Sequence, residues 1–228
     1  MLQKKKLLTF SFDDGNVDDV RLVELFNRYG LKGTFNLNSG KLTDAMGTWL
    51  YDGKKEVHHL NAIHYLHLYD GHEIAAHTLT HSHLEDLPDD TVYNEIALDQ
   101  LILSRLYDTT VRGMALPFGT YNDRTEAIAA SCGMKYCRTI DATHAFSLPD
   151  RVLLHPTCHF KDAAMEELAA QFLAAEPDEP MLFYVWGHSY ELVTEEDWQR
   201  FEAFCRTVSG HDNVWYCTNI EAIDALNE

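Results

Sequence analysis

Short apolar runs alternate along the chain with longer stretches whose apolar positions recur at helical spacing. Runs at 7–12, 33–37, 72–76, 111–115, 135–138, 151–155, 180–186 and 213–216 read as strands. Helical periods lie between them, at 17–29, 55–69, 89–107, 122–132, 161–174, 195–208 and 219–227. Gly30 and Gly133 stand where a C′ glycine ends a helix, and Thr194 with Asp197 and Thr218 with Glu221 have the spacing of capping boxes. Such alternation builds parallel strands joined by crossover helices. A closed α/β barrel and a doubly wound open sheet give the same linear pattern, so periodicity alone leaves both open. No linker, repeat or low-complexity tract interrupts the chain, which predicts one domain over 1–228. The polar, glycine-containing segment 38–56 reads as an insertion over one barrel face, where loops leaving strand C-termini build sites.

With 228 residues and 46% hydrophobic content the chain can bury one sizeable core. A net charge of -18 argues against nucleic acid and anionic membrane partners, which are met by clustered Lys and Arg. The short cluster Lys4 to Lys6 leads at once into a strand-like run, not a signal-peptide apolar region, and no apolar run is long enough to span a bilayer. The expectation is a soluble, cytoplasmic protein. Five cysteines without a CxxC pair read as reduced, mostly buried thiols, with a disulfide the minority reading.

Four constellations carry candidate chemistry. Phe12-Asp13-Asp14-Gly15 puts two carboxylates at a strand end, where a glycine turn can bend both towards one site, although Asp-Gly is also a common surface turn. His77 and His81 are spaced so that a helical turn would set both imidazoles on one side, suited to a divalent metal; a histidine-rich surface is the plain alternative. Pro117-Phe118-Gly119 ends an apolar strand and needs no function to explain it. The buried-looking run from Leu182 to Trp186 delivers His188 at its C-terminal end.

Taken together and in this order, these elements resemble the polysaccharide deacetylase superfamily of carbohydrate esterases, which includes chitin, peptidoglycan and xylan deacetylases. The matching motifs are Phe-Asp-Asp-Gly at 12–15, His77-Thr78-Leu79-Thr80-His81, the Pro117-Phe118-Gly119 turn and His188. The resemblance implies a distorted (β/α)7 TIM-like barrel. It also implies hydrolysis of acetyl groups, N-acetyl first, from a saccharide. Asp14, His77 and His81 become metal ligands, Asp13 the general base towards a metal-activated water, and His188 the general acid. A backbone N–H of the 117–119 turn, that of Phe118, helps hold the oxyanion. Zinc is the expected ion, with cobalt, nickel or ferrous iron as alternatives.

Two departures from the family pattern stand out. Ala115 occupies the position two residues before Pro117 where many members carry an arginine that orients the catalytic aspartate, and Arg138, at the end of the next strand, is the candidate replacement. The family's Asp-Trp motif is absent after Arg138, which leaves Asp141 as the nearest carboxylate to support His188. His155 and His159 follow another short strand and are candidates for the pocket wall. Competing readings are an O-acetyl esterase or cyclic-amide hydrolase on the same fold, and a carbohydrate-binding relative that has lost turnover. A two-His-one-carboxylate iron oxygenase is a fourth, disfavoured by the βα alternation.

Overall fold

The computed structural model describes residues 4–43, 47–148 and 152–226. In chain order they form β1 (Lys6–Asp13), α1 (Asp19–Tyr29), β2 (Gly33–Leu37), β3 (Thr48–Tyr51), β4 (Lys55–His58), β5 (Glu73–Ala76), α2 (Asp89–Leu106), β6 (Gly113–Ala115) and α3 (Asp123–Ser131). There follow β7 (Tyr136–Arg138), β8 (Leu153–Leu154), β9 (Cys158–His159), α4 (Met165–Ala174), β10 (Met181–Gly187), α5 (Glu195–Val208), β11 (Val214–Tyr216) and α6 (Asn219–Leu226).

Nine strands make one parallel sheet, in the order β8-β7-β6-β5-β2-β1-β10-β9, with β11 added beside β1. The sheet curls as the expected distorted (β/α) barrel does, with helices outside. The distortion is visible at β1, whose one edge is divided: Lys6 to Leu8 pair with β11, while Phe10 to Asp13 pair with β2. At the other side of the barrel β8 and β9 do not pair. Irregular backbone fills the gap, with Thr143 and His144 donating N–H bonds to the carbonyls of Pro156 and Thr157 at 3.0 Å each. The Thr157 hydroxyl also accepts the Tyr184 N–H at 3.0 Å, standing in for a strand neighbour.

Alternation along β1 decides which residues meet chemistry. Leu8, Phe10 and Phe12 face outward into a cluster with Phe26 and Phe201, where Phe10 and Phe26 lie 4.8 Å apart. Each such ring contributes about 1.5–3 kcal/mol by leaving water. Thr9, Ser11 and Asp13 are left facing the lumen, where a hydrogen-bonded network lies above an apolar cluster that includes Leu7, Ala75 and Leu182. Thr9 donates to Asn219, Asn219 to Tyr184, and Asn36 to both Ser11 and Asp13.

The helix expected over 55–69 does not form. Residues 55–58 are β4, paired antiparallel with β3, and 59–72 run through turns without a continuous helix. Trp49 and Tyr51 of this hairpin pack on Tyr190, with ring centroids 5.5 and 5.2 Å apart, which lays it against the site. Lys55 fastens the hairpin to Asp18 at 2.9 Å and to the Leu192 carbonyl at 3.1 Å. The expected strand at 151–155 contracts to the two residues of β8, with Arg151 outside the described residues. Both capping boxes are present, and Gly30 and Gly133 take left-handed φ of 64° and 85°. Four of the five cysteines are buried and none is disulfide-bonded. Among the described residues no helix is long and apolar enough to cross a membrane.

Candidate active site

β1 runs straight to Asp13, which pairs with Asn36, and the chain then swings through two successive left-handed residues, Asp14 (φ 79°) and Gly15 (φ 60°). The bend therefore begins at the aspartate itself, one residue before the glycine. It brings both carboxylates to the C-terminal mouth of the barrel. A side chain at Gly15 would be doubly unwelcome, because a Cβ there would lie 2.9 Å from the methyls of both Leu37 and Leu42.

The two histidines arrive by a different route from the one the spacing suggests. Residues 77–81 are not a helical turn but a loop after β5, in which Thr78 and His81 take φ of 64° and 63°. The loop nevertheless points both rings at Asp14, whose Oδ1 lies 3.7 Å from His77 Nε2 and 3.5 Å from His81 Nε2. His77 Nδ1 donates to the Ala115 carbonyl at 2.9 Å, which fixes the tautomer and leaves the Nε2 lone pair facing Asp14. Burial lowers the pKa of both imidazoles, that of His81 to about 4, so both are neutral at pH 7. The ligand atoms of Asp14, His77 and His81 all lie within 4.8 Å of one another. Two neutral nitrogens and one carboxylate oxygen converging in this way fit a divalent cation with open coordination positions.

Asp13 is buried behind this triad. Its Oδ2 accepts from the Arg138 guanidinium and its Oδ1 from Asn36 Nδ2 at 2.8 Å. Burial alone would raise its pKa, but Arg138, assisted by His77 and His188, holds it well below the usual carboxylate range. Arg138 is fully buried, with its guanidinium 4.6 Å from the centroid of the Trp186 ring. The register pairs Ala115 directly with Arg138 across β6 and β7. A guanidinium missing from one strand thus arrives from the facing residue of the next.

His188 stands opposite, with Nε2 3.9 Å from both Asp13 Oδ2 and Asp14 Oδ2. Burial works against its charged form, yet Glu191, Asp13 and Asp14 outweigh it and raise its pKa. Glu191 Oε2 lies 3.5 Å from His188 Nδ1 and 2.8 Å from His159 Nε2. Asp141, the sequence candidate for this role, is instead exposed and paired with His155 at 3.8 Å. Glu191 is in reach because the short 3-10 turn Ser189–Glu191 folds it back onto His188; its offset from His188 was the only signal in the sequence. Tyr190, from the same turn, donates to Asp14 Oδ2 at 3.1 Å.

The five titratable groups floor a cavity of about 320 Å³ walled by Leu116, Phe118, Ile140 and Trp186, with Tyr190 at its side. Pro117-Phe118-Gly119 forms its rim as a tight turn, with Phe118 at φ 59° and its ring stacked 3.7 Å from His83. One hydrophobic wall is therefore supplied by the same turn that edges the mouth.

A family profile described as polysaccharide deacetylase matches residues 2–137. Among solved structures, the Streptococcus pyogenes deacetylase PplD in complex with acetate is 24% identical over 68% of this chain and 65% of its own, with a TM-score of 0.58. A putative polysaccharide deacetylase from Mycobacterium smegmatis is 18% identical, covering 98% of this chain and 91% of its own at a TM-score of 0.67. A family 4 acetyl xylan esterase from Clostridium thermocellum, in complex with a cobalt ion, is 15% identical over 97% and 92%, at 0.61. At these identities the structural likenesses speak for the fold alone. No curated protein sequence matches. Because the profile accounts for more than half of the 228 residues and contains the Asp13-Asp14 and His77/His81 motifs, the chain belongs to the polysaccharide deacetylase family.

Proposed function

We propose that the protein is a metal-dependent deacetylase that removes acetyl groups, N-acetyl in the first place, from a saccharide. The observation that carries this reading is the convergence of Asp14, His77 and His81 on one point, flanked by a paired Asp13 and by His188. A divalent ion held by those three, zinc by its preference for this donor set, supplies a Lewis acid for the acetyl carbonyl and makes water more acidic, from a pKa of about 15.7 to near 7. Cobalt, nickel and ferrous iron are the alternatives for the same ligands.

The chain's own residues then divide the proton work. Asp13, kept ionised by Arg138, takes the proton from the attacking water. His188, whose pKa Glu191 raises most against the effect of burial, delivers one to the departing atom. A charged imidazole matters most where the leaving group is an amine, which must be protonated to depart, and this favours the N-acetyl reading. The N–H of Phe118, on the rim turn, is assigned to the developing oxyanion; one such donor is typically worth about 3 kcal/mol. Leu116, Phe118, Ile140 and Trp186 keep bulk water from the reacting carbonyl. Arg138 in place of the absent arginine at Ala115 argues for a working enzyme over a binding-only relative.

The test is acetate release from matched N- and O-acetylated saccharides by the metal-replete protein, before and after chelation and after zinc is restored. Release from the N-acetyl series that stops on chelation and returns with zinc is the expected result. Release that survives full chelation removes the reading.

A further inference from the structure

We infer that Glu95 and Asp99, neighbours one turn apart on α2, are positioning residues that hold the metal-ligand loop 77–81 in its binding shape. The inference rests on the metal reading of Asp14, His77 and His81 given above. Beyond the bond at its start, where the His77 N–H reaches the Leu37 carbonyl at 2.9 Å, the loop has neither helical nor sheet bonding, and it carries two non-glycine residues, Thr78 and His81, in the left-handed region. Such conformations persist only where the surroundings over-determine them. Here the surroundings are largely one face of α2. Asp99 Oδ2 accepts the N–H of His77 itself at 3.0 Å, while its Oδ1 accepts the Ser39 N–H at 2.7 Å. Glu95 Oε2 accepts the Thr80 N–H at 2.9 Å and its Oε1 the Thr80 hydroxyl at 2.8 Å. The Glu95 main-chain carbonyl takes the Leu79 N–H at 2.9 Å.

The remaining groups of the loop are tied to the 38–40 segment that Asp99 also anchors. Asn38 Nδ2 donates to the carbonyls of His77 and Thr78, and Gly40 N–H donates to the Leu79 carbonyl at 3.0 Å. The contact at Gly40 is close: a Cβ there would meet the Leu79 oxygen at 2.4 Å. Asp99 and Asn38 are fully buried and Glu95 nearly so. Two carboxyl side chains one turn apart and out of water are costly on a helix. Their bonds go to the first ligand, His77, and to the residue directly before the second, His81. Without them only the His81 N–H bond to Thr78 Oγ1 at 3.1 Å and the ties to 38–40 oppose relaxation of Thr78 and His81 towards ordinary backbone angles, and the His81 ring would drift from the point it shares with Asp14 and His77.

The experiment compares zinc affinity, by competition with a chromophoric chelator, in wild type, Asp99→Asn, Glu95→Gln and Thr80→Val. Apo-protein thermal denaturation and amide hydrogen exchange across 77–81 are recorded alongside. Loss of an outer partner typically costs 10–100-fold in metal affinity, and about that loss is expected for Asp99→Asn and Glu95→Gln, with faster exchange in the loop. Thr80 is exposed, so Thr80→Val keeps the fold whatever happens to the buried variants, and a several-fold loss is expected from it. Glu73→Gln is the control: it removes a buried carboxylate bonded to Thr34, Tyr136 and Ile220 without touching the loop. It should lower the melting temperature and leave zinc affinity alone. Equal affinity in wild type, Asp99→Asn, Glu95→Gln and Thr80→Val, or an equal loss in Glu73→Gln and Asp99→Asn, overturns the inference. A wild type that takes up no zinc overturns it together with the metal reading.

Discussion

Replacing Arg138 with methionine keeps most of the side-chain volume against Trp186 and removes the charge facing Asp13. The consequence follows from burial: Arg138 is fully buried and Asp13 nearly so, and burial is the largest influence on the Asp13 carboxyl, opposed first by Arg138. Breaking one side of a buried ion pair costs about 3–5 kcal/mol. At roughly 2–4 °C per kcal/mol for a chain of this size, that is a fall of roughly 10 °C in Tm at pH 7. The sign with pH is as definite as the size. In the wild type a depressed Asp13 contributes stability above its unfolded pKa near 4, lost as pH falls through the folded value. In Arg138→Met the folded pKa moves above the unfolded one, so the carboxyl destabilises at neutral pH and the penalty fades as acid protonates it. Acetate release should fall about 100-fold at pH 7, the lower end of what general base catalysis contributes. The acidic limb of its pH profile should move upward, with zinc content unchanged. Paired thermal melts at pH 4.5 and 7.5, with initial rates across that range, provide the assay. A Tm loss of equal size at both pH values, or an unmoved acidic limb, refutes the reasoning.

At the other end of the profile, His188 has a raised pKa, so its stabilising contribution is complete below its unfolded value near 6.5 and lost as pH rises through the folded one. Glu191→Gln should therefore move the alkaline limb of acetate release to lower pH and leave the acidic limb in place; a shift in the opposite direction would contradict the assignment. Gly113→Ala tests the barrel wall, since its Cβ would lie 2.0 Å from Cε1 of Tyr136, a ring tied to Glu73 at 2.8 Å. Overpacking of this kind costs about 1–3 kcal/mol. A loss of roughly 5 °C in Tm is expected, and an unchanged melt would mean that the ring can yield.

What the sequence disclosed follows from how local each signal is. β1 and β10 were legible because their runs are mostly apolar and bounded, and α5 because Thr194 and Asp197 cap it reciprocally. Asp13, Asp14, His77 and His81 were legible as motifs, and the structure brings all four together. The hairpin of β3 and β4 was missed because its strands are short and half exposed, so their apolar positions carry little period. The backbone of 77–81 was misjudged because spacing records separation along the chain, whereas the loop's shape is imposed by Glu95 and Asp99 from another element. Glu191 was passed over for Asp141 because a carboxylate's reach depends on the turn that carries it. Arg138 was within reach of sequence reasoning, since residues at the same height on adjacent parallel strands face one another.

The unpaired gap between β8 and β9 has a bearing on how the molecule meets other chains. A parallel sheet that stops short of closing leaves two rims of amides and carbonyls, the usual starting points for fibrillar stacking or for capture of a foreign peptide. On the β9–β10 side Thr157 and the backbone of 143–146 occupy such groups from within the same chain, with the Phe146 carbonyl accepting the Leu182 N–H at 3.2 Å. Along this seam the barrel is guarded by its own connecting loop, and a deletion that shortened 143–146 would trade a silent surface for a sticky one.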